Sequence, residues 1–285
     1  SAPFPMDNMA DSHTKTLFLV RHGQSEENVR VNNFRRSYQL LRQGEHLTSA
    51  DWGKFGSILH VDTNAPLSPK GQEQAQDLGE RVARDDLLRR RGVQLAVHSP
   101  LQRTKFTLQP LLVKTFPEVQ AYQGNPMAWD EQGIQDVPIP VVMQADLLER
   151  RPREYIRGPL FAGRFERRMD RLLEWLAERP EDTILVVGHG QAFKRILGIQ
   201  FEFGNCDMRE IKLTRSATGK ITWEGDPLLV YRGKDNGKGG QDEAVVAARL
   251  RLAGSTPAKQ DGVVLDSAGD EKLAPSAAQA PASGD

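Results

Sequence analysis

The strongest constraint on the fold is a pattern that occurs twice: a short unbroken apolar run that stops at a histidine followed by glycine. Leu17-Phe18-Leu19-Val20 runs into Arg21-His22-Gly23, and Ile184-Leu185-Val186-Val187 runs into Gly188-His189-Gly190. Continuous apolar runs of this length, with β-branched members, suit strands covered on both faces, as in a parallel sheet between layers of helices. Val93–Ser99 (VQLAVHS) is another such run and ends at His98-Ser99-Pro100, while Ile139–Met143 (IPVVM) is a further candidate.

Helical patterns lie between these runs. Ser68 is placed to cap a helix with Pro69 at its first position, and Ala75, Leu78, Val82 and Leu87 follow at roughly helical spacing. Ser99-Pro100-Leu101-Gln102 has the form of an N-cap, a proline at N1 and a capping-box Gln at N3. That helix would carry Arg103 in its first turn and be kinked or interrupted at Pro110. Phe165, Met169, Leu172 and Leu176 share one helical face. MREIKLT (208–214) and ITWEG (221–225), around Thr218-Gly219, predict a closing hairpin. Strands alternating with helices define an α/β fold: a three-layer α/β/α sandwich with a mostly parallel central sheet.

Composition narrows the class further. Thirty-eight basic residues balance 38 acidic ones, so no overall field favours nucleic acid or a membrane surface. Cys206 is the only cysteine, which leaves no intrachain disulfide and no cysteine-based metal site. No apolar run is long enough to span a bilayer, and the first 15 residues lack the pattern of a secretory signal. The expected setting is cytoplasmic, with neither nucleic acid nor membrane as partner. The mean hydropathy of −0.53 is low for 38% apolar residues, and the C-terminus accounts for it. Beyond about residue 233 the chain is dominated by Gly, Lys, Ala, Ser, Asp and Pro, too polar to offset its ordering entropy. The expected organisation is an N-terminal extension over 1–14, one catalytic domain over 15–232 and a disordered tail over 233–285.

In an open parallel sheet, ligands bind outside the carboxyl ends of the strands. His22, His189, Arg21 and Arg103 therefore converge on one site if the strands are neighbours. Glycine after each histidine allows close backbone approach, helix N-termini favour anions, and guanidinium groups match phosphate oxygens. This describes a phosphoryl pocket with an imidazole nucleophile. The arginines supply the positive charge, so neither a metal nor another cofactor is expected.

The motifs RHGQSEEN (21–28), PLSPKGQEQA (66–75), HSPLQRT (98–104), DLLER (146–150) and VVGHGQA (186–192), in that order, resemble the histidine phosphatase superfamily, the phosphoglycerate mutase-like fold. The resemblance spans about 15–214, and NCDMREIKL (205–213) is similar to the stretch after the second histidine in some of these proteins. It implies that His22 carries the phosphoryl group and that Arg21, Arg103 and His189 bind its oxygens. It further implies that Ser25 and Asn28 line the pocket, that the Gly190 N–H donates into it, and that Glu149 is the proton donor, with Glu154 the substitute. Ser25 and Asn28 fit equally as caps of the following helix. The implied function is a metal-independent phosphatase acting on a phosphorylated small molecule or phosphoprotein. A mutase is the alternative, followed by a non-catalytic protein that binds a phosphorylated ligand.

Two departures stand out. The spans between Asn28 and Pro66 and between Arg103 and Glu149 are longer than in compact members, as for a lid or specificity cap. Gly188 and Gln191 replace the Ser and Gly common around the second histidine. Residues 150–171 hold eight arginines against three acidic residues, read first as a solvated helix face and otherwise as a patch for a second anionic group. His13, His46, His60 and His98 are expected to be structural or surface residues.

Overall fold

The computed structural model describes residues 12–44, 48, 62–116, 138–150, 163–200 and 203–234. All of them fall within the first of two units, Ser1–Ala247, the second being Ala248–Asp285. Most of the expected extension and tail, Glu154, His46, His60 and large parts of both long spans lie outside the described residues.

The elements, in chain order, are β1 (His13–Arg21), α1 (Glu26–Arg42), α2 (Pro69–Arg84), α3 (Leu87–Arg90), β2 (Leu95–His98), α4 (Gln102–Thr115), β3 (Val141–Met143), α5 (Arg164–Glu178), β4 (Thr183–Gly188), α6 (Gly190–Leu197), β5 (Met208–Arg215) and β6 (Ile221–Tyr231). A 3₁₀ turn, Ala145–Leu147, follows β3. The sheet order is β3-β2-β4-β1-β5-β6. The first four strands are parallel, and β5 and β6 close one edge antiparallel. The fold is thus α/β with a mostly parallel sheet, as the alternation predicts. β1 starts at His13, so residues 13 and 14 of the expected extension already pair with β5.

Alternation along the central strands divides the core. Leu17, Leu19, Leu95, Val97, Ile184 and Val186 face a cluster built from α5 (Phe165, Met169, Leu172, Leu176) and α6 (Ala192, Phe193, Ile196). Each large side chain buried there contributes about 1.5–3 kcal/mol. Phe18, Val20, Ala96, Leu185 and Val187 alternate with that set and are fully buried on the other face. α4 touches β2 and β4, and α2 packs along α4.

The Pro110 expectation needs correction. α4 continues through Pro110 to Thr115, and a Cβ at Gly79 of α2 would lie 2.8 Å from the Pro110 backbone. Close packing of the two helices therefore holds α4 together where local propensity predicts a break. Among the described residues no helix is long and apolar enough to cross a membrane.

Candidate active site

Sheet order sets the site. β1 lies beside β4 with Arg21 opposite Gly188, and β4 lies beside β2 with His98 opposite Val187. The three strand ends that carry Arg21-His22, His189 and Ser99 are therefore neighbours. The His22 N–H donates to Gly188 O at 3.0 Å, and the Ser99 N–H donates to Val187 O at 3.3 Å.

The two imidazoles meet edge to face with centroids 5.1 Å apart. His22 is 1% exposed, His189 0% and Arg103 4%. His22 Nδ1 lies 2.6 Å from Gly23 O. A carbonyl only accepts, so Nδ1 carries the proton and the Nε2 lone pair is left for chemistry. His189 Nε2 lies 2.9 Å from Ser99 Oγ, and that oxygen accepts a long bond from the Leu101 N–H. We assign the Ser99 hydroxyl as donor to Nε2, which places the His189 proton on Nδ1. This atom faces Glu149 Oε2 at 3.6 Å and is buried without a hydrogen-bond partner.

Glu149 Oε2 also accepts from Arg103 Nη2, while Arg103 Nη1 donates to Thr63 O at 3.1 Å. Arg21 donates to Phe203 O. Burial, then Arg103 and Arg21, push His22 well below its ordinary value. Burial, then His22, Arg103, Arg21 and Arg168, do the same to His189. A neutral imidazole is the form that can attack phosphorus. Unfolding returns both rings to the ordinary value near 6.5, so in acid the unfolded chain binds protons that the native protein refuses. Stability is thus lost as pH falls from about 6.5 toward the lowered native values. The melting temperature should fall between pH 7 and pH 5, and less steeply in His22→Asn. An equal slope in the variant would remove His22 as the cause.

The loop after His22 is tied from several sides. The Gly23 N–H donates to Thr107 Oγ1 at 3.0 Å, so it braces the loop against α4 and does not face a ligand as the motif suggests. Its glycine is needed for packing, because a Cβ there would lie 2.5 Å from Gly71 O. Asn205 Nδ2 donates to His22 O at 2.9 Å, and the Cys206 N–H donates to Arg21 O at 3.0 Å. Burial pushes the Cys206 thiol up, away from the reactive thiolate.

Ser25 and Asn28 form a reciprocal capping box for α1, each side chain 3.2 Å from the other's N–H. Both also line the cleft, so the two readings of these residues are compatible. The cleft is about 970 Å³ and its lining includes Arg21, Arg103, Glu149, Gly190, Arg35, Arg150 and Lys194. Gly190 is the first residue of α6, where the N–H has no partner within the helix. Gly188 has a packing reason: a Cβ there would lie 2.9 Å from both Leu147 and Phe193.

Two expectations change, for Ser99 and Arg168, and the one for His98 holds. Ser99 is not the N-cap of α4, which begins at Gln102 after Leu101 with no side-chain cap; the Ser99 hydroxyl serves His189 instead. His98 is buried with Nδ1 2.8 Å from Ser99 O, as a structural residue. Arg168, counted with the solvated face, is 8% exposed and bonds inward. Ser99, Asn205 and Arg168 are site neighbours that the motifs alone did not single out. For Asn205 a signal existed in the NCDMREIKL stretch.

His22, Glu149 and His189 could also be read as metal ligands, since an atom from each lies within 4.8 Å of the others. The surrounding charge disfavours a dication: Arg103 holds the same carboxylate oxygen that a metal would need. Two guanidinium groups, two imidazoles and a helix N-terminus stand together at the carboxyl edge of the parallel strands, a donor set whose chemistry suits an anion. Residues 17–124 match the family model for the histidine phosphatase superfamily (branch 1).

No curated protein matches the chain. Among solved structures it is similar to a mycobacterial glucosyl-3-phosphoglycerate phosphatase (17% identity, 75% of this chain and 98% of that one, TM-score 0.41). It is also similar to a phosphoserine phosphatase from Entamoeba histolytica (15%, 78% and 98%, TM-score 0.40). A third is a phosphoglycerate mutase from Bacillus anthracis (15%, 76% and 94%, TM-score 0.42).

Proposed function

We propose that this protein hydrolyses a phosphomonoester without a metal ion, through a phosphohistidine on His22. The observation that carries this reading is the Nε2 lone pair of a neutral, buried His22 beside two arginines, a second imidazole and one carboxyl group. Nε2 attacks phosphorus as the ester P–O bond breaks, and Glu149 gives its proton to the departing oxygen. Water then loses a proton to the Glu149 carboxylate and attacks phosphorus. The P–N bond breaks and inorganic phosphate leaves. Arg21, Arg103 and His189 Nδ1–H offset the charge that builds on the equatorial oxygens. A phosphoryl dianion entering the pocket competes with Glu149 for Arg103, and the proton taken from water returns Glu149 to the form that donates in the next turnover.

Glu149 is the proton donor in this reading because its carboxyl lies within 3.6 Å of His189 and on Arg103. The substrate is a phosphorylated small molecule or phosphoprotein, and hydrolysis is favoured over mutase transfer because the described residues include no dedicated device to shield a phosphohistidine from water. The test is a rapid quench with a ³²P-labelled phosphomonoester in excess EDTA. The expected result is an acid-labile, alkali-stable label on His22 and undiminished phosphate release. Isomerisation of a phosphoglycerate with no phosphate released would establish the mutase instead, and loss of turnover with EDTA would overturn the metal-free mechanism.

A further inference from the structure

We infer that Arg168 is a positioning residue that holds Glu149 at the proton-transfer position. This rests on the reading of Glu149 as proton donor. Arg168 lies on α5 and not on the strands that supply the histidines, and its chain position gives no hint of a role in catalysis. A surface arginine on an amphipathic helix would extend into water. This one turns inward: Nη1 donates to Asp146 O at 2.8 Å and to Leu148 O, and Nη2 donates to Glu149 O at 3.2 Å. Its guanidinium also lies over the Phe165 ring, 5.2 Å from the centroid.

The bonded stretch needs such a clamp. Residues 146–149 run from a single 3₁₀ turn into irregular backbone, so no helix or sheet ladder fixes their carbonyls. A planar guanidinium reaches several acceptors at once, which the single ammonium of lysine cannot do with the same geometry. Three carbonyls of the Asp146–Glu149 stretch thus converge on one rigid group. The Glu149 backbone, and with it the distance from its carboxyl to His189, is set from α5. Small displacements of a catalytic group cost rate steeply.

The experiment uses leaving-group dependence. Proton donation matters for an alkyl phosphate, whose alkoxide is a poor leaving group, and little for p-nitrophenyl phosphate, whose phenolate leaves without help. The second-order constant kcat/KM reports steps through ester cleavage and not the later hydrolysis of phosphohistidine. It is measured for both substrates in the wild type, Arg168→Lys, Arg168→Ala, Glu149→Gln and the Arg168→Lys/Glu149→Gln double variant. Removing a general acid costs about 10²–10⁴-fold. Arg168→Lys should lose about tenfold or more on the alkyl ester and under about threefold on the aryl ester, a loss that disappears in the Glu149→Gln background.

Equal losses on both esters in folded Arg168→Lys, with Glu149→Gln still selective, would overturn the inference alone and leave Arg168 a structural residue. If Glu149→Gln shows no selectivity, the proton-donor reading falls, and this inference with it. Should Arg168→Ala not fold, the lysine variant decides, because it keeps the charge and loses only the fork.

Discussion

Purified His22→Ala should lose about 10⁴-fold or more of kcat/KM, on aryl and alkyl phosphates alike, and should form no phosphoenzyme. Such a loss corresponds to about 5 kcal/mol of transition-state stabilisation. The size follows from the geometry. Nε2 is the open nitrogen of a ring whose other nitrogen is bound to Gly23 O. The other imidazole has its Nε2 engaged by Ser99 and so offers no matching nucleophile. Arg21, Arg103 and His189 remain in the variant, so inorganic phosphate should still bind as a competitive ligand. Retention of phosphate binding separates loss of the nucleophile from loss of the pocket. Hydrolysis at the wild-type rate would remove His22 from the mechanism.

Gly71→Ala should be among the most destabilising single changes in the domain, although it touches no catalytic group. Alanine is the better helix former by about 1 kcal/mol. Against that gain, a Cβ at residue 71 would lie 1.9 Å from the Gln24 carbonyl oxygen and 2.9 Å from the Gln24 nitrogen. These are backbone atoms that cannot rotate away. Ser68 N also donates to the same Gln24 oxygen at 2.9 Å, and Gln74 Oε1 accepts from the Gln24 N–H at 3.0 Å. Relief of the clash therefore breaks bonds on both sides of the loop. We expect a net loss of about 3–4 kcal/mol, read as a fall of about 6–16 °C in melting temperature. Because Gln24 is two residues from His22, kcat should fall at temperatures where the variant is still folded. An unchanged melting temperature would show that the loop absorbs the methyl group without strain.

The parts of this protein legible in the sequence are those governed by short-range rules. Apolar runs such as Leu17–Val20 and Ile184–Val187 identify the central strands, since continuous burial leaves no polar face to alternate. The spacing of Phe165, Met169, Leu172 and Leu176 identifies α5 for the same reason. The histidines at the two strand ends follow, and motif order supplies Arg103 and Glu149.

Local rules failed where a side chain or a helix had a stronger partner elsewhere. Ser99 has the form of an N-cap, yet its hydroxyl is claimed by His189 at 2.9 Å. Pro110 signals a break, yet α4 runs through it against Gly79. Arg168 sits among exposed arginines in the chain, yet it turns in to the Asp146–Glu149 carbonyls.

The sequence alone thus nominated the residues for the proposed phosphoryl chemistry: the types and their order are covalent facts, and burial patterns betray the strands that bear them. Tertiary structure decided which ring nitrogen is open, which loops are clamped and which arginine faces inward. Those choices depend on hydrogen bonds between residues far apart in the chain, such as Asn205 to His22, and only the β2-β4-β1 strand order brings such partners together.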